Sequence, residues 1–386
     1  MRADLGQIFR AAVAACHPVR VLAPHLPPAP AGRVVILALG KAAGGMAAVA
    51  EAAYGDQAFG IAVVPDGVNA GLERVALVHA GHPIPNAASV VAAEHLLELA
   101  RRAGPNDAVL VLLSGGASAL ACLPGFGLGL DEKQEVTEAL LRSGAPIGDI
   151  NCVRRHLSRI KGGRLALAGA SAPMVTLAIS DVVGDSPGDI GSGPTVAGRT
   201  NVDHAKAILG RYGIAVPVHG WSPLPDIPPR PFEVVAGGRS ALDAASREAE
   251  RLGYRPVLLG ECTGEAREVA RDHAGLALDL PPGRALISGG ELTVAVTGDG
   301  RGGPNTEYAL AAGLTLAHRP DIAGLAADTD GIDGTSGAAG AFFGGAPLPG
   351  AAEALAANDS ASCADLFVTG PTGTNVNDLR IILVRP

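Results

Sequence analysis

The residues of this 386-residue chain that could do chemistry stand where short apolar runs end. In VLLSGGASAL, residues 111–120, an apolar run breaks on Ser114-Gly115-Gly116 and resumes as something small and helical. Two glycines leave backbone N–H groups open to the next loop, so phosphate or carboxylate oxygens can come close; an ordinary strand-to-helix turn is the plain alternative. Gly40-Lys41 follows the run RVVILAL, Asp181 and Asp185 follow PMVTLAIS, Ser288-Gly289-Gly290-Glu291 precedes LTVAV, and Asp328, Asp330 and Asp333 follow AGLAA. Glycine loops, one lysine and several carboxylates form the inventory of phosphoryl transfer: N–H donors and Lys for phosphate, carboxylates for Mg²⁺ and for the accepting hydroxyl.

Other patterns carry less. Lys41 in ALGKAAGGM has Val35 where the GxxxxGK[ST] phosphate loop needs its first glycine. GDGRGG at 298–303 satisfies GxGxxG, follows an expected strand and precedes an expected helix, with Asp321 further on. It is the best argument for a nicotinamide enzyme, although it lies in mid-domain and not in a first βα unit. DTDGIDG at 328–334 looks like a calcium loop, but the position of the closing bidentate Glu is Ala339. In NCVRRHLSRIKGGRLA a helix puts Ile150, Val153, Leu157 and Ile160 on one face and leaves Arg155, Arg159 and Lys161 more exposed. That is either a solvated face or a source of cations for the glycine loops. Ser158 and Lys161 spell SxxK without the SDN or KTG of a serine acyl-enzyme. His79 and His82 are spaced like metal ligands with no third ligand signalled, and His82 before Pro83 fits a turn.

The elements that must position these residues read as α/β. Candidate strands 33–39, 60–64, 74–79, 108–114 and 173–180 alternate with helical stretches near 42–54, 86–102, 131–143 and 149–160. Prolines crowd 216–231, which reads as a linker. A second series follows, with strands 232–236, 255–260, 284–289, 292–298, 323–328, 365–370 and 380–385 and helices near 239–252, 262–273, 305–317 and 350–358. The expected architecture is therefore two α/β domains with mainly parallel sheets facing a shared cleft, residues 1–215 and 232–386 on either side of the linker. In such sheets ligands bind beyond the carboxyl ends of the strands, where the residues above lie.

Composition narrows the partners. With 48% apolar residues the chain can bury a sizeable core, and a net charge of −8 with scattered Lys and Arg argues against nucleic acid and for a small ligand. No apolar run is long enough to span a bilayer, and MRADLGQIFRAAVAACHP reads as an amphipathic helix without a signal peptide's core, which points to the cytoplasm. Cys16, Cys122, Cys152, Cys262 and Cys363 form no CxxC pair and are expected to be buried thiols.

The segments ALGKAAGGMA, HPIPNAAS, VLLSGGASALACLP, LLRSGAPIGDINCVRRHLSRIKGGRLA, AISDVVGDSPGDIGSGPTV, ISGGELTV, AADTDGIDGTSGAAG and VTGPTGTNVNDLRIILV together resemble the class II glycerate 2-kinases, whose carboxyl-terminal part is the MOFRL domain. The likeness runs in order from about residue 5 to residue 385. It implies a Rossmann-like amino-terminal domain and a smaller MOFRL-type domain, and ATP- and Mg²⁺-dependent phosphorylation of D-glycerate, or a closely related hydroxy acid, by a monomer or homodimer. It implies catalytic roles for Lys41, Asp181, Asp185 and Glu291, with Asp181 and Asp185 as metal ligands. It implies substrate or nucleotide contacts for Ser114, Gly115, Gly116, Ser118, Arg155, Asn305, Asp328, Asp330, Thr372, Gly373, Asn375 and Asn377. Two departures stand out. GGPNTE replaces the family's GGRNQE, so Pro304 stands for an arginine thought to face the substrate phosphates, and Arg301, Arg239 or Arg155 would have to replace that cation. An Asp that the family often carries after SGPTV is absent from AGRTNVD. The alternatives are an NAD(P)H-dependent hydroxypyruvate or tartronate semialdehyde reductase, resting on GDGRGG, and a kinase-fold protein that binds without turnover, suggested by Pro304.

Overall fold

The computed structural model describes residues 1–345 and 349–386. They form two units: residues 21–180 with 184–235, and residues 1–20 with 181–183 and 236–386. Helices α1 (Arg2–Ala15) and α2 (Pro18–Val21) open the chain.

The unit that begins at Val21 is built on β1 (Val34–Leu39), β2 (Ala58–Val64), β3 (Val75–His79), β4 (Ala108–Leu113), β5 (Met174–Ile179) and β6 (Phe232–Ala236), ordered β3-β2-β1-β4-β5-β6. The first five are in parallel register, Leu37 lying opposite Ile61 of β2 and Val111 of β4. Strand β1 is buried along its whole length, as its unbroken Val, Ile and Leu run requires of a parallel strand covered on both faces. The intervening helices are α3 (Ala43–Tyr54), α4 (Ala87–Arg102), α5 (Ala117–Leu120), α6 (Leu130–Arg142), α7 (Ile147–His156), α8 (Arg164–Ala168) and α9 (Val202–Arg211). A reciprocal Asn86–Ser89 box starts α4.

The other unit carries α10 (Gly238–Arg251), β7 (Arg255–Glu261), β8 (Gly264–Glu265), α11 (Ala266–Leu278), β9 (Arg284–Gly290), β10 (Leu292–Thr293), α12 (Pro304–Thr315), β11 (Arg319–Asp328), β12 (Gly340–Gly345), α13 (Ala351–Ala356), α14 (Ser360–Cys363), β13 (Asp365–Phe367) and β14 (Asp378–Val384). Its six-stranded sheet runs β13-β12-β11-β14-β9-β7, and β8 pairs with β10. Its core gathers Ala270, Tyr308, Leu316, Ile322 and Ile382.

Several expected details need correcting. The sheet of this second unit is mainly antiparallel: β11 pairs antiparallel with β12 and β14, β12 with β13 and β14 with β9, and only β7 and β9, joined through α11, are parallel. A parallel pair needs a crossover long enough to return the chain, whereas residues 329–339 link β11 to β12 without a helix. Residues 232–236 do not open the second sheet but form the sixth strand of the first. The proline-rich 216–231 segment is no loose linker, because its carbonyls are taken: Ser222 O by His156 Nδ1 at 2.9 Å and Pro223 O by Arg164 at 2.8 Å. Finally, α1 belongs to the second unit. It packs on α10, where Tyr254 Oη donates to Asp4 at 3.0 Å and Gln7 to Glu248 at 2.8 Å.

Candidate functional site

The strand order of the first sheet reverses between β1 and β4, and the loops that leave these two strands carry Lys41 and Ser114-Gly115-Gly116. Such a switch point is where a doubly wound sheet opens a crevice for ligands. The loops are bonded to each other: Lys41 N donates to Gly115 O at 2.8 Å and Ala42 N to Ser114 Oγ at 3.0 Å. Gly40, at φ +126°, can carry no side chain because a Cβ would run into Ser114. At Gly116, φ +84°, a Cβ would lie 2.8 Å from the His82 ring and 3.6 Å from Lys41 Cγ, so lysine, imidazole and glycine loop converge. Ser118 Oγ meets Ser192 Oγ at 3.1 Å; Ser192 Oγ donates to Asn151 Oδ1 at 3.1 Å, and Asn151 Nδ2 to Asp189 Oδ1 at 3.1 Å. Sequence reasoning missed Ser192, which is buried and adopts φ +62°.

In the same unit Arg155 donates to Gly188 O at 2.8 Å and lies 3.6 Å from Asp189, so it fixes the 186–189 turn. The expected helix 149–160 ends at His156, and Lys161, expected outside, is 2% exposed. Ser158 is buried and donates to Leu123 O, which excludes an acyl-enzyme serine here.

Asp185 adopts φ +51°, and its Oδ1 is buried without a hydrogen-bond partner among the described residues. A buried carboxylate oxygen in that state is costly, and a hard cation would satisfy it. No group of three or more His, Cys, Asp or Glu that could hold a metal occurs among the described residues. Mg²⁺ fits Asp185 only in the manner of phosphoryl-transfer sites, with water and substrate phosphate completing its shell.

In the second unit the 370–377 loop grips Asp181. Asn375 Nδ2 donates to Asp181 Oδ2 at 2.9 Å, and Asn377 Nδ2 to Asp181 O at 2.7 Å. Asn375 Oδ1 also ties the loop to its own backbone, accepting from Asn377 N at 3.2 Å. Thr372 Oγ1 donates to Thr329 O at 2.5 Å, Thr374 Oγ1 to Cys16 O at 2.8 Å, and Gly373, at φ +80°, turns the chain past His17. Because Asn375 orients a carboxylate, Asn375→Ala is expected to lower kcat/KM about 10-fold while Tm falls by only about 2–4 °C, one neutral-to-charged hydrogen bond being worth about 1.5 kcal/mol. Steady-state kinetics beside thermal melts check this; a large melting shift with unchanged constants per folded molecule would make the loop purely structural.

The acids of the DTDGIDG stretch accept local backbone hydrogen bonds. Asp328 accepts from Asp330 N at 2.9 Å and Asp330 from Ile332 N at 2.7 Å, while Asp333 caps α12 through Asn305 N and Thr306 N, both at 2.9 Å. Asn305 Nδ2 bridges Asp333, at 3.3 Å, and Asp378, at 2.7 Å. Burial pushes the Asp333 carboxyl up to about 6, with Asp378 adding to it against the donors from Asn305 and Thr306. An acid whose folded value is raised holds its proton longer in the native state, so this site's contribution falls as pH rises from about 4 to about 6. The span is on the order of 3 kcal/mol. Urea midpoints across that range should show the slope, and Asp333→Asn should lack it. Glu291 follows β9 at the surface.

The GDGRGG loop is already filled. Asn358 Oδ1 accepts from Thr297 N at 2.7 Å and Gly298 N at 3.0 Å, Asp359 from Arg301 N at 2.9 Å, and the first N–H groups of α12 belong to Asp333. The expected strand before it spans only Leu292–Thr293. A dinucleotide's pyrophosphate would find its donors taken. The candidate replacements for the missing family arginine are also engaged: Arg239 with Asp243 at 2.9 Å, Arg155 as above, and Arg301 with Thr335 O at 3.4 Å.

Glycine loops and a lysine at the switch point of a doubly wound sheet, together with carboxylates at strand ends, fit an α/β enzyme of the small-molecule phosphotransferase kind. Residues 4–220 match the domain of unknown function DUF4147, and residues 284–378 match the MOFRL family. The D-glycerate 2-kinase of Thermotoga maritima is 35% identical, with 98% of this chain and 97% of that protein covered. A crystal structure of glycerate kinase from the same organism superposes with a TM-score of 0.85 at 34% identity, covering 98% of each chain. A protein of Agrobacterium vitis, provisionally named hydroxypyruvate reductase, is 42% identical over 99% of this chain and 94% of its own. The chain belongs to the MOFRL-containing glycerate 2-kinase family.

Proposed function

We propose that this protein is an ATP-dependent glycerate 2-kinase, transferring a phosphoryl group to D-glycerate or a closely related 2-hydroxy acid. The observation that carries the reading is the likeness, over nearly the whole chain, to the Thermotoga maritima enzyme, with the lysine and glycine loop at the switch point where a phosphate-binding site belongs. In this reading the N–H groups of Gly115 and Gly116 and the Lys41 ammonium receive phosphate oxygens and hold them against charge that grows in the transition state. Asp181, oriented by Asn375 and Asn377, accepts the acceptor's hydroxyl proton. Mg²⁺, when bound, would neutralise phosphate charge, with Asp185 as its protein ligand. Asp185→Asn is expected to raise the Mg²⁺ concentration needed for half-maximal rate at least about 10-fold; an unchanged Mg²⁺ curve removes that assignment.

The deciding experiment is a coupled ADP assay across hydroxy acids beside an NADH-consumption assay with hydroxypyruvate. ADP formation that depends on D-glycerate supports the kinase, and NADH consumption without it would revive the reductase that the Agrobacterium vitis name suggests. Binding of nucleotide without either activity would leave a non-catalytic binding protein.

A further inference from the structure

The 289–290 turn and the short helix that follows the 114–116 glycine loop are each held by a buried cation, and the two cations differ in how their charge is met. Under Ser288-Gly289-Gly290 lies Arg380, which donates to the carbonyls of Gly289 and Gly290 and is neutralised by Asp378 at 3.2 Å. On α5, directly after Ser114-Gly115-Gly116, sits Lys161, 2% exposed, donating to Ser118 O at 2.8 Å and Ala121 O at 3.3 Å, with no ion pair to a carboxylate among the described residues.

We propose that Lys161 is the positioning residue of the 114–121 segment, its ammonium seated on two carbonyls so that the loop's N–H groups are held open for an anion; this rests on the kinase reading for the anion's identity. The segment needs such a tie. After Ser114 it runs through two glycines, which lose the most freedom on ordering, and continues as a one-turn helix, α5, whose terminal carbonyls have no helical partner. Lys161 supplies donors to the carbonyls of Ser118 and Ala121. A further hydrogen bond, between Ser192 and the Ser118 hydroxyl, holds the same residue by its side chain. The charge is kept at a cost. Burial pulls the Lys161 ammonium down to about 7, with Lys133 and Arg154 adding to the shift and Cys122 opposing it. Lys133, also buried, donates to Leu157 O at 2.6 Å and is pulled down to about 8.

The test compares Lys161→Met, Lys161→Gln and Lys161→Arg with the unaltered chain by hydrogen exchange of the amides in 115–121 and by steady-state kinetics. Exchange there should quicken about 10-fold or more in the two neutral variants, and kcat/KM should fall about 10- to 100-fold, chiefly through KM, which is what losing a charged hydrogen bond of about 1.5–3 kcal/mol gives. Lys161→Arg, which keeps a cation on the same carbonyls, should recover most of both. A folded neutral variant with unaltered exchange and constants overturns the proposal. So does failure of both neutral variants to fold, since Lys161 would then hold the whole unit and not the loop. Because exchange is read without substrate, a chain that forms no acceptor-dependent ADP but shows the exchange change defeats the kinase reading and leaves the positioning role standing.

Discussion

Replacing Lys41 by alanine is expected to lower turnover about 10²- to 10³-fold with little change in melting temperature. The reason is its place. Lys41 leaves β1 at the point where the strand order reverses, its backbone N–H fixes Gly115 O, and its side chain passes the Gly116 turn beside His82. In the proposed kinase reading a cation held there would meet phosphate oxygens while negative charge moves between them, and removing a preorganised charged group from such a site costs about 2–4 kcal/mol of transition-state stabilisation. The backbone bond survives the substitution, so the loop should keep its shape. Lys41→Arg keeps the charge but spreads it over a planar fork and should recover only part of the rate. Single-turnover kinetics at saturating ATP check this; turnover within about 3-fold of the unaltered enzyme removes Lys41 from the chemistry.

Much of this is legible in the sequence, for a physical reason. Parallel strands covered on both faces must be continuous Val, Ile and Leu runs, and RVVILAL and AVLVLL announce themselves as such. The residues after each strand are the ones a crevice exposes, which is what makes them the candidates. Direction is not written in an apolar run, so the antiparallel sheet of the second unit is hidden. Strand β12 is hidden altogether, because GAFFGG offers two phenylalanines among glycines and no β-branched residue. The amphipathic stripe of α1 is visible, yet a stripe does not name the surface it covers, and that surface is α10. Lys161 is misplaced when the helix is carried four residues past its end at His156; beyond that end the glycines at 162 and 163 take positive φ and the chain turns the lysine inward. Arg380 is hidden most completely. A single charge inside RIILV looks like a strand's solvent face, and only the structure shows it buried against a carboxylate.

That burial sets the largest stability effect expected here. Arg380 is 1% exposed and serves four acceptors at once: Asp378 through Nη1 at 3.2 Å, Ser288 Oγ through Nε at 3.2 Å, and the carbonyls of Gly289 and Gly290 through Nη2. Burial holds the Asp378 carboxyl above its usual range, Arg380 opposes that shift, and Asp330 adds to it. Arg380→Leu would leave this carboxylate buried, with the Asn305 amide still donating to it. Breaking a buried pair in this way costs about 3–5 kcal/mol, because the surviving charge is stranded out of water. Thermal melts should fall by on the order of 10 °C. The paired variant Arg380→Leu with Asp378→Asn distinguishes a stranded charge from a lost fit. If the cost is the charge, neutralising Asp378 should return more than half of the stability; if the double variant is no better than the single one, the side chain mattered for its volume and its hold on the carbonyls. The same variants report on the site, since the 288–290 turn loses its anchor in both. Catalytic loss that persists after stability is recovered would place Arg380 beside Lys161 as a cation that shapes a glycine loop, and full recovery of both would confine it to the core.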